Sequence, residues 1–305
     1  MNEVETGDPP LLTRVAAFSV TAMVISIVAY LGAIGAGLLI GRYLLETLFG
    51  NVRLRTAFDI ISLIEVVLVI GAYKLIVGRL GEHPRDDLPF ASGPKGLALG
   101  LLVGLAIMAL IVAVSAALGV YRITATGSPS ELTHELIATA ILPGFTEEIL
   151  CRGILLRWIE DFAGSWVGLA VSSIAFGFAH YYNPNSTVVA DLFIAVEAGV
   201  LLGGAYMLTR SLWVPVGIHA GWNFAEGEIF GVPDSGIPVH GLLQAKLSGP
   251  EFLTGGGFGL EASLITFGVA TAAGVSIVYL AVRRGQLVRP WWVRRRLALS
   301  GSPRN

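Results

Sequence analysis

Residues 135–158 read ELIATAILPGFTEEILCRGILLRW. The stretch FTEEILCR at 145–152 sits between two runs with the composition of lipid-facing helix. Within it, Glu147, Glu148 and Arg152 stand close together. Two adjacent carboxylates and an arginine are expensive among apolar neighbours, so the kind of helix that carries them decides how the chain is read.

Composition decides it. The chain has 305 residues, 54% hydrophobic and only 14% charged, with a mean hydropathy of +0.73. A soluble protein of this size needs far more charge to cover its surface. The class is therefore polytopic membrane protein. A net charge of −2 provides no global field for nucleic acid. Cys151 is the only cysteine, which excludes an internal disulfide and any cysteine-rich metal cluster.

About 20 apolar residues span the hydrocarbon core of a bilayer. That rule predicts eight helices, at about 15–41, 57–77, 96–120, 132–158, 164–181, 188–209, 212–229 and 260–283. The fold class expected is an all-α membrane bundle of about eight spans. The acidic, proline-bearing start lacks the basic n-region of a signal peptide, so the first run reads as a retained helix. Residues 1–14 read as a tail, 15–283 as one membrane domain and 284–305 as a basic tail. The connection near 230–259, with GVPDSGIP and TGGGFG, is a candidate re-entrant segment. Arg283, Arg284, Arg289, Arg294, Arg295 and Arg296, with Trp291 and Trp292 among them, suit a cytoplasmic interface with anionic lipid. The expected location is a cell membrane, crossed several times, with the C-terminus cytoplasmic. Arg42, Arg53 and Arg55 in the first loop oppose that orientation.

An ionisable group at membrane depth is a functional candidate by default. Glu148 and Arg152 are four apart, on one helix face, and able to pair. Glu147 is rotated by about 100° from Glu148, with no local counter-charge. One carboxylate is thus tied to arginine while its neighbour is left for chemistry. A structural ion pair is the competing reading for Glu148 and Arg152. Two further clusters follow. In FGFAHYYN, Phe176 and His180 share a face near a helix end, where a histidine commonly caps or packs. In HAGWN, His219 and Asn223 are four apart among Gly217, Ala220 and Gly221, which also suits plain interhelical hydrogen bonding. Together the clusters offer a carboxylate, two histidines and an asparagine from three spans. Such a set can take a proton from water, hold it, and donate hydrogen bonds to a developing oxyanion.

In this order and spacing, EEILCR resembles the EExxxR motif of the CAAX-protease and bacteriocin-processing (CPBP or Abi) intramembrane peptidases. FGFAH resembles their FxxxH motif and HAGWN their HxxxN motif. The resemblance spans about 130–230 and implies a helical membrane endopeptidase acting on a membrane protein, a peptide precursor or a lipidated C-terminus. It further implies that Glu147 with His180 activates water, that His219 and Asn223 stabilise the oxyanion, and that Glu148 and Arg152 fill the remaining motif positions.

A zinc site needs about three protein ligands and an open position, which Glu147, His180 and His219 could supply. The zincin pattern HExxH is absent, since His134 and Glu135 are followed by Leu136, Ile137 and Ala138. A directly activated water accounts for the same residues without an ion and is the reading preferred. Neither GxSG nor GxGD is present for a rhomboid-like or aspartyl site. A transporter is the competing class. Asp59, Glu65, Asp191 and Glu197 lie within or near spans and could line an ion path, although helix-end placement or pairing accounts for Asp59 and Asp191. An idle immunity protein on the same scaffold is opposed by the intact motif residues.

Overall fold

The structure, a computed structural model, describes residue 15 and residues 18–49, 53–82, 84–128 and 132–300. The tail read at 1–14 lies outside these residues.

The chain is an integral membrane protein of packed helices. α1 (Ser19–Leu44), α2 (Leu54–Leu75) and α3 (Gly93–Ala117) are long apolar helices. After β1 (Tyr121–Thr126) comes α4, a continuous helical run over 132–163 that contains the FTEEILCR stretch. α5 (Ser165–Ala179), α6 (Val188–Thr209) and α7 (Trp213–Asn223) follow. β2 (Leu243–Leu247), α8 (Leu264–Arg283) and α9 (Trp291–Leu299) complete the chain.

All eight expected segments are helical, but they are of two kinds. Five stretches are long and apolar enough to cross a membrane, namely Ser19–Thr47, Leu54–Arg79, Phe90–Ala117, Val188–Thr209 and Leu264–Arg283. α4 carries too many charges for that class, α5 has only 15 residues, and α7 has only 11 before it changes pitch. Every residue of α7 is buried. α1 instead turns Val24, Val28, Leu31 and Leu39 outward, as a lipid-facing helix does. α7 and the charged pair of α4 therefore lie inside the bundle, where a membrane protein keeps its ionisable groups, while α5 turns Trp166, Val167 and Ile174 outward.

α4 is not a regular α-helix. π-helical turns occupy Leu136–Ile141 and Ile149–Leu156, on either side of the α-helical turn Leu142–Glu148. Pro143 lies at the start of that turn. It has no N–H to donate, and its ring crowds the carbonyl of the preceding turn, so a regular ladder cannot pass through it. The wider turn absorbs the fault. A third π segment, Phe224–Ile229, continues α7 immediately after Asn223. Such turns occur mostly as local insertions and frequently at functional sites. Here one carries Arg152 of the first motif and another follows Asn223 of the last, while a further π turn, Leu45–Phe49, continues α1.

Small residues set the closest helix contact. A Cβ added at Gly100 would stand 2.8 Å from the Gly217 Cα, and one added at Gly217 would stand 2.9 Å from the Gly100 Cα. Gly104 and Gly221 abut the facing backbones in the same way. The paired GxxxG spacings on α3 and α7 let the two backbones touch, which is how helices gain packing where lipid supplies no hydrophobic drive. This contact fixes the helix that carries His219 and Asn223. Gly164, with φ 89, reverses the chain between α4 and α5 and aligns those helices as neighbours.

β1 and β2 pair antiparallel, from Tyr121 opposite Leu247 to Thr126 opposite Leu243, with a bulge between Ile123 and Ala125. This small sheet was not expected from the sequence. The connection near 230–259 thus contributes a strand and short turns, and Tyr121 donates its hydroxyl to the Phe230 carbonyl at 2.8 Å.

At the opposite end a buried polar knot closes the bundle. Arg157 of α4 donates to Tyr73 Oη at 2.8 Å and to Asp87 Oδ2 at 3.2 Å. Tyr206 donates to the same Asp87 oxygen at 2.7 Å. Burying a guanidinium is tolerable only when its donors are met in this way. α9 joins this end through Arg294, which reaches Asp161 at 2.8 Å.

Candidate active site

The first motif lies on α4 between two cores. Ile149, Ile154 and Leu156 face the core built with Tyr73, Trp158 and Tyr206. Cys151 faces the other, with Met108, Phe176 and Trp222. Glu148 and Arg152 are both fully buried, and Arg152 Nη1 donates to Glu148 Oε1 at 2.8 Å. The pairing read from their spacing is present.

The same carboxylate oxygen also receives His219 Nδ1, at 2.9 Å. Glu148 therefore joins the first motif to the third. Arg152 is held on its other side by the Ala198 and Gly199 carbonyls, each 3.3 Å from Nη2. Its guanidinium lies 4.3 Å from the centre of the Phe176 ring, a cation–π contact. Phe176 in turn packs against both histidine rings, with centroids 5.2 Å from His180 and 5.8 Å from His219. The phenylalanine of FxxxH is thus the apolar partition between the two imidazoles and the platform beneath the arginine.

His180 closes the C-terminus of α5. Its Nδ1 lies 2.9 Å from the Phe176 carbonyl. A carbonyl can only accept, so Nδ1 carries the proton, and in the neutral ring Nε2 is left as an acceptor. For His219, Nδ1–H donates to the Glu148 carboxylate and Nε2 is left free of that bond. Asn223 donates Nδ2–H to the Thr139 carbonyl at 2.8 Å, leaving its second N–H unused by that contact. Thr139 lies in the π-helical part of α4, so the irregular turn orients the asparagine.

His180, His219 and Asn223 line one cavity with Phe176, Ile194 and Leu201. Ala198, Leu202, Ile218, Trp222, Ser235 and Glu261 complete its wall. The second and third motifs line this cavity, and the first is joined to it through the Glu148–His219 contact. Glu147 is half-buried and is not among the residues lining this cavity. It makes no ion pair among the described residues, and its Oε2 is buried without a hydrogen-bond partner. Glu148 Oε2 is likewise buried and unpartnered.

The zinc set fares differently. Among the described residues, one group of His, Cys, Asp or Glu side chains brings three ligand atoms within 4.8 Å of one another, and it is Glu226, Asp234 and Glu261. Glu147, His180 and His219 do not form such a group. Asp59 is paired with His134 at 2.6 Å, and Asp191 takes the Ser186 hydroxyl at 2.7 Å in the first turn of α6. Glu197 is buried and unpartnered. Sequence reasoning missed Trp222, Ser235 and Glu261 as cavity residues. The last two come from the connection after α7, where no motif marks them.

Fold and site define a helical membrane protein with a buried carboxylate–imidazole centre opening into an apolar cavity. Residues 129–225 match the family model described as Rce1-like, type II CAAX prenyl endopeptidase. The match covers about a third of the chain and all three motifs, and over that span the chain is similar to this family. The family that the model describes is a protease family. No curated relative and no solved structure matches the chain.

Proposed function

We propose that this protein is an intramembrane endopeptidase that hydrolyses a peptide bond in a membrane-associated or lipidated substrate with a directly activated water. The observation that carries this reading is the convergence of His180 from α5 with His219 and Asn223 from α7 on one cavity, with Glu148 of the α4 Glu148–Arg152 pair bonded to His219. Glu147 is the proton acceptor for water, helped by the acceptor Nε2 of His180. His219 and Asn223 supply N–H donors to the oxyanion that forms at the substrate carbonyl. His219 serves in this role as imidazolium, with Nδ1–H held by Glu148. The four charges of Glu147, Glu148, Arg152 and His219 then cancel, which a low-dielectric interior favours. Phe176, Ile194, Leu201 and Ile218 give the cavity an apolar wall that suits an apolar or lipid-bearing segment.

Asn223→Ala tests the oxyanion assignment. Loss of one such donor lowers turnover by about 10²–10³. The expected result in reconstituted vesicles is that fall in kcat with KM nearly unchanged. Equal turnover by the variant and the wild type would remove Asn223 from the chemistry.

The proposed orientation places the C-terminus in the cytoplasm. Arg85, Arg157, Arg210 and Arg294 gather at the end that α9 joins, through their contacts with Tyr206, Asp87, Glu160 and Asp161. A basic end of this kind faces the cytoplasm. A reporter fused after Asn305 is expected to read as cytoplasmic, and an external signal would reverse the assignment.

A further inference from the structure

Four buried acids stand beside the cavity with no use in the proposed hydrolysis. Glu226 lies in the π-helical turn after α7, Asp234 in the following loop, and Glu261 in the short turn Leu260–Ala262 before α8. Their relative exposures are 0%, 4% and 6%, and one oxygen of each lies within 4.8 Å of the others. The fourth is Glu197 of α6, which is 1% exposed. It stands on α6, which packs against the turn that carries Glu261, and both its oxygens lack a hydrogen-bond partner. Glu226 Oε1 is unpartnered as well.

The neutral donors present do not balance this charge. The single Trp222 indole N–H is shared between Glu226 Oε2 and Glu261 Oε1, at 3.1 Å each. Glu261 Oε2 takes the Ser235 amide at 3.0 Å and the Ser235 hydroxyl at 2.6 Å. Among the described residues, no ion pair brings Lys, Arg or His to any of the four. Like charges this close need either protons or a cation. Protons alone would give Glu197 no partner, because its oxygens reach none of the donors present.

We propose that Glu226, Asp234 and Glu261, completed by Glu197, hold a hard divalent cation of the calcium or magnesium class. The donor set is all oxygen, with no histidine or cysteine, which selects hard ions over zinc. Oxygens opposite one another across a calcium ion with bonds of about 2.4 Å stand about 4.8 Å apart, so the group has the right span. The ion would tie α6, the end of α7, the loop and the turn before α8 to one point. Ser235 and Glu261 belong to the cavity wall, so the ion fixes that wall beside Asn223. The site stands apart from the peptidase reading, because its test reads metal and not cleavage.

The test uses the full-length protein in detergent, stripped with EDTA and dialysed, then titrated separately with CaCl2 and MgCl2. Bound ion is counted by equilibrium dialysis and elemental analysis, with the thermal midpoint followed in parallel. The expected result is one ion per chain, saturating by roughly millimolar concentration, with a rise in midpoint. Asp234→Asn and Glu261→Gln should each weaken binding by at least about tenfold, while Asp59→Asn should leave it unchanged. Saturation with calcium but not magnesium assigns the larger ion, and the reverse assigns the smaller. Folded wild-type protein that binds neither ion at millimolar concentration would overturn the proposal and leave the acids as a protonated cluster. Equal binding by wild type and both variants would overturn it too. If Asp234→Asn fails to fold, the wild-type count and Glu197→Gln decide between the same outcomes.

Discussion

Glu147→Gln is expected to lower peptide cleavage by about 10²–10⁴, the range for loss of a positioned acid–base group, with the protein still folded and membrane-inserted. The two halves of this expectation have separate causes. Activity falls because a glutamine amide cannot take a proton from water at any accessible pH. Stability holds because Glu147 makes no ion pair and its Oε2 has no donor to lose. Glutamine keeps the size of the side chain, and the exchange breaks no ion pair. The measurement is turnover of a cleavable membrane substrate in vesicles, beside a thermal midpoint in detergent. Near-normal turnover by Glu147→Gln would take the base assignment away from this residue. A collapse of the folded protein would give Glu147 a structural part that its contacts do not suggest.

Much of this was legible in the sequence, for reasons that can be named. Long apolar runs leave few choices in lipid, because every backbone donor must be met within its own helix. That is why the helical segments could be read from composition. The i,i+4 spacing of Glu148 and Arg152 predicted their contact, since helix geometry alone brings such residues together. What spacing cannot give is the third partner. That His219 takes the same carboxylate oxygen as Arg152 depends on how α7 is pressed against its neighbours by Gly217 and Gly221. The π-helical turns were equally hidden, although Pro143 marks one fault in the helix ladder. Glu226 and Asp234 are eight residues apart and Glu261 lies 27 residues further on, and each alone looks like an ordinary loop or helix-end carboxylate. Only the fold draws them within 4.8 Å.

Glu148→Gln should behave in the opposite sense to Glu147→Gln, losing stability first. It leaves Arg152, itself fully buried, without its charge partner. Breaking one side of a buried ion pair typically costs about 3–5 kcal/mol. Part of that cost is softened here, because Arg152 keeps the Ala198 and Gly199 carbonyls and the face of Phe176. Removing both charges, in Glu148→Gln with Arg152→Gln, should therefore be less damaging than Glu148→Gln alone, since no buried charge is then left unpaired. Thermal or chemical unfolding of the two variants in the same detergent makes the comparison. Any folded Glu148→Gln protein should still cleave poorly. A glutamine oxygen can accept His219 Nδ1–H, but it does not offset the charge of an imidazolium, so the ring would rest neutral and lose its donor to the oxyanion. If Glu148→Gln instead matches the wild type in both stability and turnover, the carboxylate does not bind Arg152 and His219 into one charged unit, and the electrostatic basis of the proposed site fails.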